Sequence, residues 1–95
     1  MKTYTFTETD LASRAEARQL RSRLFQNIDV DVVVELNFKN VLSISDSFAD
    51  EFFGVLAAKF GVDGLAEKVK IDNASRQLFR VIASNIQTRT QQLTH

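Results

Sequence analysis

Hydrophobic and polar positions recur at two different periods along this chain, and the switches between them set out its elements. Residues 3–7 place Tyr4 and Phe6 between threonines, the period of two of a short strand with one face buried. Thr9 or Asp10 then supplies an N-cap, and residues 11–25 carry Ala17, Leu20 and Leu24 at helical spacing. Asn27 and Asp29 end that helix. Val30, Val32, Val33, Val34, Leu36 and Phe38 follow as a near-continuous apolar run, which predicts a central strand over 32–38 covered on both faces.

Residues 40–47 form a turn rich in hydroxyls and carboxylates, and a second helix is predicted to start near Phe48. Its stripe of Phe48, Phe52, Leu56 and Phe60, with Ala49, Phe53 and Ala57 beside it, is wide enough to pack on a sheet. Gly54 interrupts this helix at a cost of about 1 kcal/mol relative to Ala, tolerable where it lets helix and sheet approach closely. Gly61 suits the left-handed position after the last turn, with 62–64 as a connection. Val69 and Ile71 alternate with Lys68, Lys70 and Asp72 as a third strand nearer an edge. Asn73 is placed to cap a final helix carrying Leu78, Ile82, Ile86 and Leu93, whose last residues should fray. The order β-α-β-α-β-α predicts an α/β fold, a small, mainly parallel sheet with packed helices, in one domain spanning 1–95.

Composition narrows what such a domain does. At 95 residues it buries roughly 60–65% of the surface of its unfolded chain, so its stability should be modest. Eight Phe against one Tyr and no Trp suit a core better than a base-stacking platform. Twelve basic residues balance twelve acidic ones, which leaves no global field to draw the chain directly to nucleic acid or to a membrane. Without Cys there is no disulfide or thiolate metal site, and the first residues contain no apolar leader, so a cytoplasmic location is the expectation. His95, the only His, ends the chain, and Gly54, Gly61 and Gly64 match neither a phosphate-binding loop nor a dinucleotide fingerprint. Asp46, Asp50 and Glu51 point around a helix axis rather than converging on a metal. The reading is therefore of a protein that is not an enzyme, with no catalytic residues, no cofactor and no metal.

Functional surfaces in α/β sheets gather where strands end, which draws attention to Ser43, Ser45, Asp46 and Ser47. Ser47 with Asp50 and Glu51 also forms what a plain helix N-terminus favours, a hydroxyl cap followed by carboxylates in the first turn. Arg14, Arg18 and Arg21 make one stripe of the first helix, able to hold an acidic partner surface or phosphate, or simply a solvated face with Glu16 nearby. Phe52, Phe53 and Phe60 read as core, although so many Phe residues in one helix could leave one exposed for a partner.

The stretch 32–56 resembles the core of the STAS superfamily, the domain shared by sulfate transporters and anti-sigma-factor antagonists, and more closely its short bacterial STAS-like branch. In the superfamily a hydrophobic strand ends in an acidic residue and an Asp-Ser-Ser-Gly segment opens a helix. Here Asn37 stands at the acidic position, Ile44 at a small apolar one, Ser45, Asp46 and Ser47 over Asp-Ser-Ser, and Phe48 in place of the Gly. The STAS-like pattern is met by Val41 in the turn and by Ser47, Phe48, Ala49, Asp50, Glu51 and Phe52. The resemblance implies a regulatory protein-interaction module, with Ser47 at the position of the phosphorylated serine and Ser45 and Ser43 as weaker candidates. It implies as partner a histidine-kinase-like ATPase or an anti-sigma-like regulator, met by Ser43, Ser45, Asp46, Ser47, Asp50 and Glu51. Two other readings stay open: a structural or homo-oligomerising subunit in which Ser47 only caps a helix, and a small-ligand or nucleotide binder using the same strand ends.

Overall fold

The computed structural model describes residues 2–25 and 33–92. Strand β1 (Lys2–Thr5) is followed by a two-residue strand β2 (Asp10–Leu11), helix α1 (Arg14–Phe25), strand β3 (Val34–Asn37) and a second two-residue strand, β4 (Ser43–Ile44). Helix α2 (Asp46–Ala49) runs through a π-helical turn (Asp50–Gly54) into α3 (Val55–Lys68), and strand β5 (Val69–Asp72) and helix α4 (Arg76–Gln92) complete the order. The main sheet is β1-β3-β5, all parallel, with Val34 and Leu36 opposite Val69 and Ile71. The expected central strand is central, and the third strand lies at an edge. Asn27, Asp29, Val30, Val32, Leu93 and His95 fall outside the described residues.

Among the described residues, the helices pack on one face of the sheet, the face of Val34 and Leu36. Val34 and Leu36 are buried, whereas Glu35 and Asn37 are half-buried on the opposite face, in register with Thr3, Thr5, Lys70 and Asp72. The expectation that β3 is covered on both faces is thus corrected, because its apolar run resolves into strand alternation once Glu35 and Asn37 are counted.

The missed strands β2 and β4 explain where the helices begin. Asp10 and Leu11 pair in parallel with Ser43 and Ile44, so α1 cannot start at a cap on Thr9 or Asp10. Ser13 takes that place, its hydroxyl accepting from the Glu16 N–H at 3.2 Å. Asn73, expected to cap the final helix, has φ 56° and turns the chain instead, while the Ser75 hydroxyl accepts from Leu78 N–H at 3.1 Å.

The helix running from Asp46 is flanked by α1 on one side and α4 on the other and supplies more of the described core than any other element. Phe48, Phe52 and Leu56, with Ala49, Phe53 and Ala57, are buried, and Phe60 is half-buried. Residues repeating every four positions overshoot a full α-helical turn by about 40° per step, so a straight helix would carry the stripe off the core. The π turn, closed by the Val55 N–H on the Asp50 carbonyl, winds more slowly and returns the stripe to the sheet. Phe48, Phe52 and Phe53 consequently stay in ring contact with one another and with Phe6, Phe25 and Phe38. The Phe left exposed is Phe79 of α4. No described helix is long and apolar enough to cross a membrane.

Two glycines have specific work here. Gly54 admits helix α4 rather than the sheet, since a Cβ there would lie 2.7 Å from Asp50 Oδ1 and 3.3 Å from Arg89 Cβ. Gly61 takes φ 77° and ψ 164°, a region open essentially to glycine, and the chain then resumes helical geometry where a plain connection was expected over 62–64. A Cβ at 61 would touch nothing within 4 Å, so Gly61→Ala isolates backbone strain. It should lower stability in urea unfolding by about 1–3 kcal/mol.

Candidate functional site

The polar residues at the end of the sheet are arranged by the side-by-side passage of two segments, 6–12 and 37–45. The Asn40 amide donates to the Phe6 carbonyl at 2.9 Å, and the Leu42 and Ser43 N–H groups both donate to Thr9 O, at 2.7 and 3.2 Å. Asn37, at the position the resemblance gives to an acid, closes this end. Its Oδ1 accepts from Lys39 N–H and from the Asn73 amide, each at 3.0 Å.

Within that frame the three serines divide. Ser45, with φ −80° and ψ 158°, caps α2: its hydroxyl accepts from Phe48 N–H at 3.0 Å and donates to Ala12 O at 2.9 Å. Ser43 donates its hydroxyl to Asp10 Oδ1. Ser47 is exposed, and its hydroxyl has no partner among the described residues. The helix therefore opens two residues before Phe48, and the capping role that Ser47 could have had belongs to Ser45.

The carboxylates expected beside Ser47 on a partner surface turn to the flanking helices. Asp46 accepts from the Asn85 amide at 2.9 Å, and Asp50 accepts from Arg89 Nε and Nη2, both at 3.1 Å. Glu51 faces α1: its carboxylate lies 3.3 Å from Arg14 Nη1, 3.6 Å from Arg18 Nη2 and 3.0 Å from Arg21 Nη2. Arg14 also reaches Asp50 at 3.1 Å and so bridges the two acids. Its hydrogen bonds to Asp50, and then to Glu51, hold the guanidinium above the ordinary arginine range. Arg14, Arg18 and Arg21 are thus engaged within the chain, Arg21 largely buried and Arg18 still mostly exposed. Spacing could place them on one helix face, but their carboxylate partners lie at least 30 residues away in sequence.

Leu42 is the residue that the sequence reading overlooked. Its backbone is pinned to Thr9, yet the residue is 78% exposed, directly before Ser43. The available signal was a leucine in a hydroxyl-rich turn, flanked by Val41 and Ile44, which are both buried.

Fold and site together define a small α/β domain whose strand ends present a pinned leucine and an unengaged serine beside an arginine–carboxylate network. Residues 17–79 match the family described as a STAS-like domain of unknown function (DUF4325), and the chain belongs to that family. No curated protein and no solved structure matches the chain.

Two measurements separate these roles. Ser45→Ala should cost about 1 kcal/mol of stability through the lost cap, while Ser47→Ala stays within about 0.5 kcal/mol of wild type in the same urea titration. Among the arginines, Arg21 is 17% exposed against a carboxylate that is 9% exposed, whereas Arg18 is 64% exposed. Arg21→Ala should therefore destabilise by about 2 kcal/mol and Arg18→Ala by less than about 0.5 kcal/mol.

Proposed function

We propose that the chain is a non-catalytic regulatory module that binds a protein partner through the turn and helix start around Leu42, Ser43 and Ser47, and that phosphorylation of Ser47 switches this binding. The observation that carries the reading is the contrast between the serines. Ser45 and Ser43 are engaged, whereas Ser47 offers an exposed hydroxyl without a partner among the described residues. An exposed leucine on a pinned backbone supplies an apolar contact at small entropic cost, because the segment is already ordered.

Electrostatics gives the switch its direction. A phosphate on Ser47 brings about −1.5 to −2 charges. It adjoins Asp46 in sequence and precedes Asp50 and Glu51 by about one helical turn. The network beyond it sets four guanidinium groups against two carboxylates, so a phosphate competes with Asp50 and Glu51 for Arg14 and Arg18. The surface presented to a partner changes in charge, with the fold held by Arg21, Arg89 and the core. The resemblance of residues 32–56 to anti-sigma-factor antagonists makes a cytoplasmic histidine-kinase-like ATPase or an anti-sigma-like regulator the partner class to test first.

The test is an affinity capture from the source cells with wild-type, Ser47→Asp and Leu42→Asp chains in parallel, together with the intact mass of the endogenous protein. The expected result is one specific partner held by wild type and lost from both variants, with a phosphate-sized mass increment in the cells. Identical partners on all three chains, with no mass increment, overturn the proposal.

A further inference from the structure

The edge strand β5 carries a pattern that suits a second copy of itself. Asp72 directs its carbonyl to Phe38 N–H at 2.9 Å, beyond the end of β3, so the backbone groups of Asp72 and, two residues back, Lys70 face into the sheet. Those of Val69 and Ile71 therefore face outward, on the side where the sheet order β1-β3-β5 ends. An edge with no further strand on it among the described residues is a template for another strand.

Two-fold symmetry restricts the registers, since a residue that meets a second residue of the other copy is met by that second residue in turn, and only the residue on the axis faces its own mate. An antiparallel pair centred on Lys70 sets Lys70 against Lys70, and one centred on Asp72 sets Asp72 against Asp72. An axis at Val69 brings Lys70 opposite Lys68. The axis at Ile71 is different: the outward-facing Ile71 groups exchange both hydrogen bonds, and Lys70 of each copy stands opposite Asp72 of the other. These are non-hydrogen-bonded positions, where opposing side chains approach most closely.

The helix-side face of the same edge is apolar. Val62, Leu65, Val69, Ile71 and Phe79 line a shallow groove of about 350 Å³, and Val62 and Phe79 are each 53% exposed. Pairing about Ile71 brings two such grooves together across the axis, so the charged pairs lie on the polar face of the sheet and the apolar contact on the other. We propose that the chain forms a two-fold homodimer by antiparallel pairing of β5 with β5, centred on Ile71, with reciprocal Lys70–Asp72 pairs and a seam closed by Val62 and Phe79. This surface is independent of the one assigned to Ser47 and Leu42.

Sedimentation equilibrium of the full chain from low-micromolar to near-millimolar concentration tests it. Wild type should show a monomer–dimer equilibrium. Lys70→Asp and Asp72→Lys, both at exposed positions, should each weaken the dimer about tenfold, because each creates two like-charge pairs by symmetry. The double reversal Lys70→Asp/Asp72→Lys should restore association to within about threefold of wild type, with circular dichroism unchanged throughout. A chain that is monomeric at every concentration overturns the proposal. So does a dimer indifferent to either reversal, or a double reversal no better than the single ones.

Discussion

Two neighbouring carboxylates, Asp50 and Glu51, hold the helical layer of this domain together. They stand at the start of the π turn and take guanidinium groups from both sides, Arg89 of α4 on Asp50 and Arg18 and Arg21 of α1 on Glu51, with Arg14 shared. Neighbouring residues of an α-helix point roughly 100° apart, which lets one address each flanking helix. Glu51 is nearly inaccessible to solvent, and such burial costs several kcal/mol for an unpaired charge. The pairs therefore select the arrangement in which α1 and α4 flank the central helix, because other packings leave that charge without a partner.

The π turn serves this network and the core together. Gly54 closes it, and the lack of a side chain there lets α4 come near enough for Arg89 to reach Asp50, since a Cβ would collide with that carboxylate. The same turn keeps the four-residue repeat of aromatic and small residues over the sheet. One local departure from α-helical winding thus satisfies an electrostatic constraint on the outer side of the helix and a packing constraint on its inner side.

Much of this was legible from periodicity. The parallel main sheet, the central place of Val34 and Leu36, the edge position of Val69 and Ile71 and the aromatic stripe all follow from alternation and helical spacing. The minor strands at Asp10 and Ser43 were not, because two-residue pairings have no period to read, and they moved both the first cap and the helix start. The ion-pair partners of the arginine stripe were hidden for a different reason. A stripe of Arg14, Arg18 and Arg21 looks the same whether solvent or a distant carboxylate faces it, and only the packing of α1 against the π turn distinguishes the two. Leu42 escaped because composition marks it as core, while its pinned backbone holds it outward.

The division of labour among the hydroxyls follows from these constraints. A helix opening against a neighbouring segment must satisfy its free amides and that segment's carbonyl, and Ser45 does both through Phe48 and Ala12. Ser43 is drawn to Asp10 by the short β2–β4 pairing. With the cap already supplied by Ser45, the Ser47 hydroxyl has no capping role among the described residues, and the flanking carboxylates are committed to Asn85 and the arginines. A hydroxyl that is exposed and without a partner among the described residues, one turn before a surplus of guanidinium groups, is placed where an added charge would act on the surface without first breaking the fold. Phosphorylation of Ser45, by contrast, would remove the cap itself, so a switch at this helix has a physical reason to use the serine that the structure leaves idle.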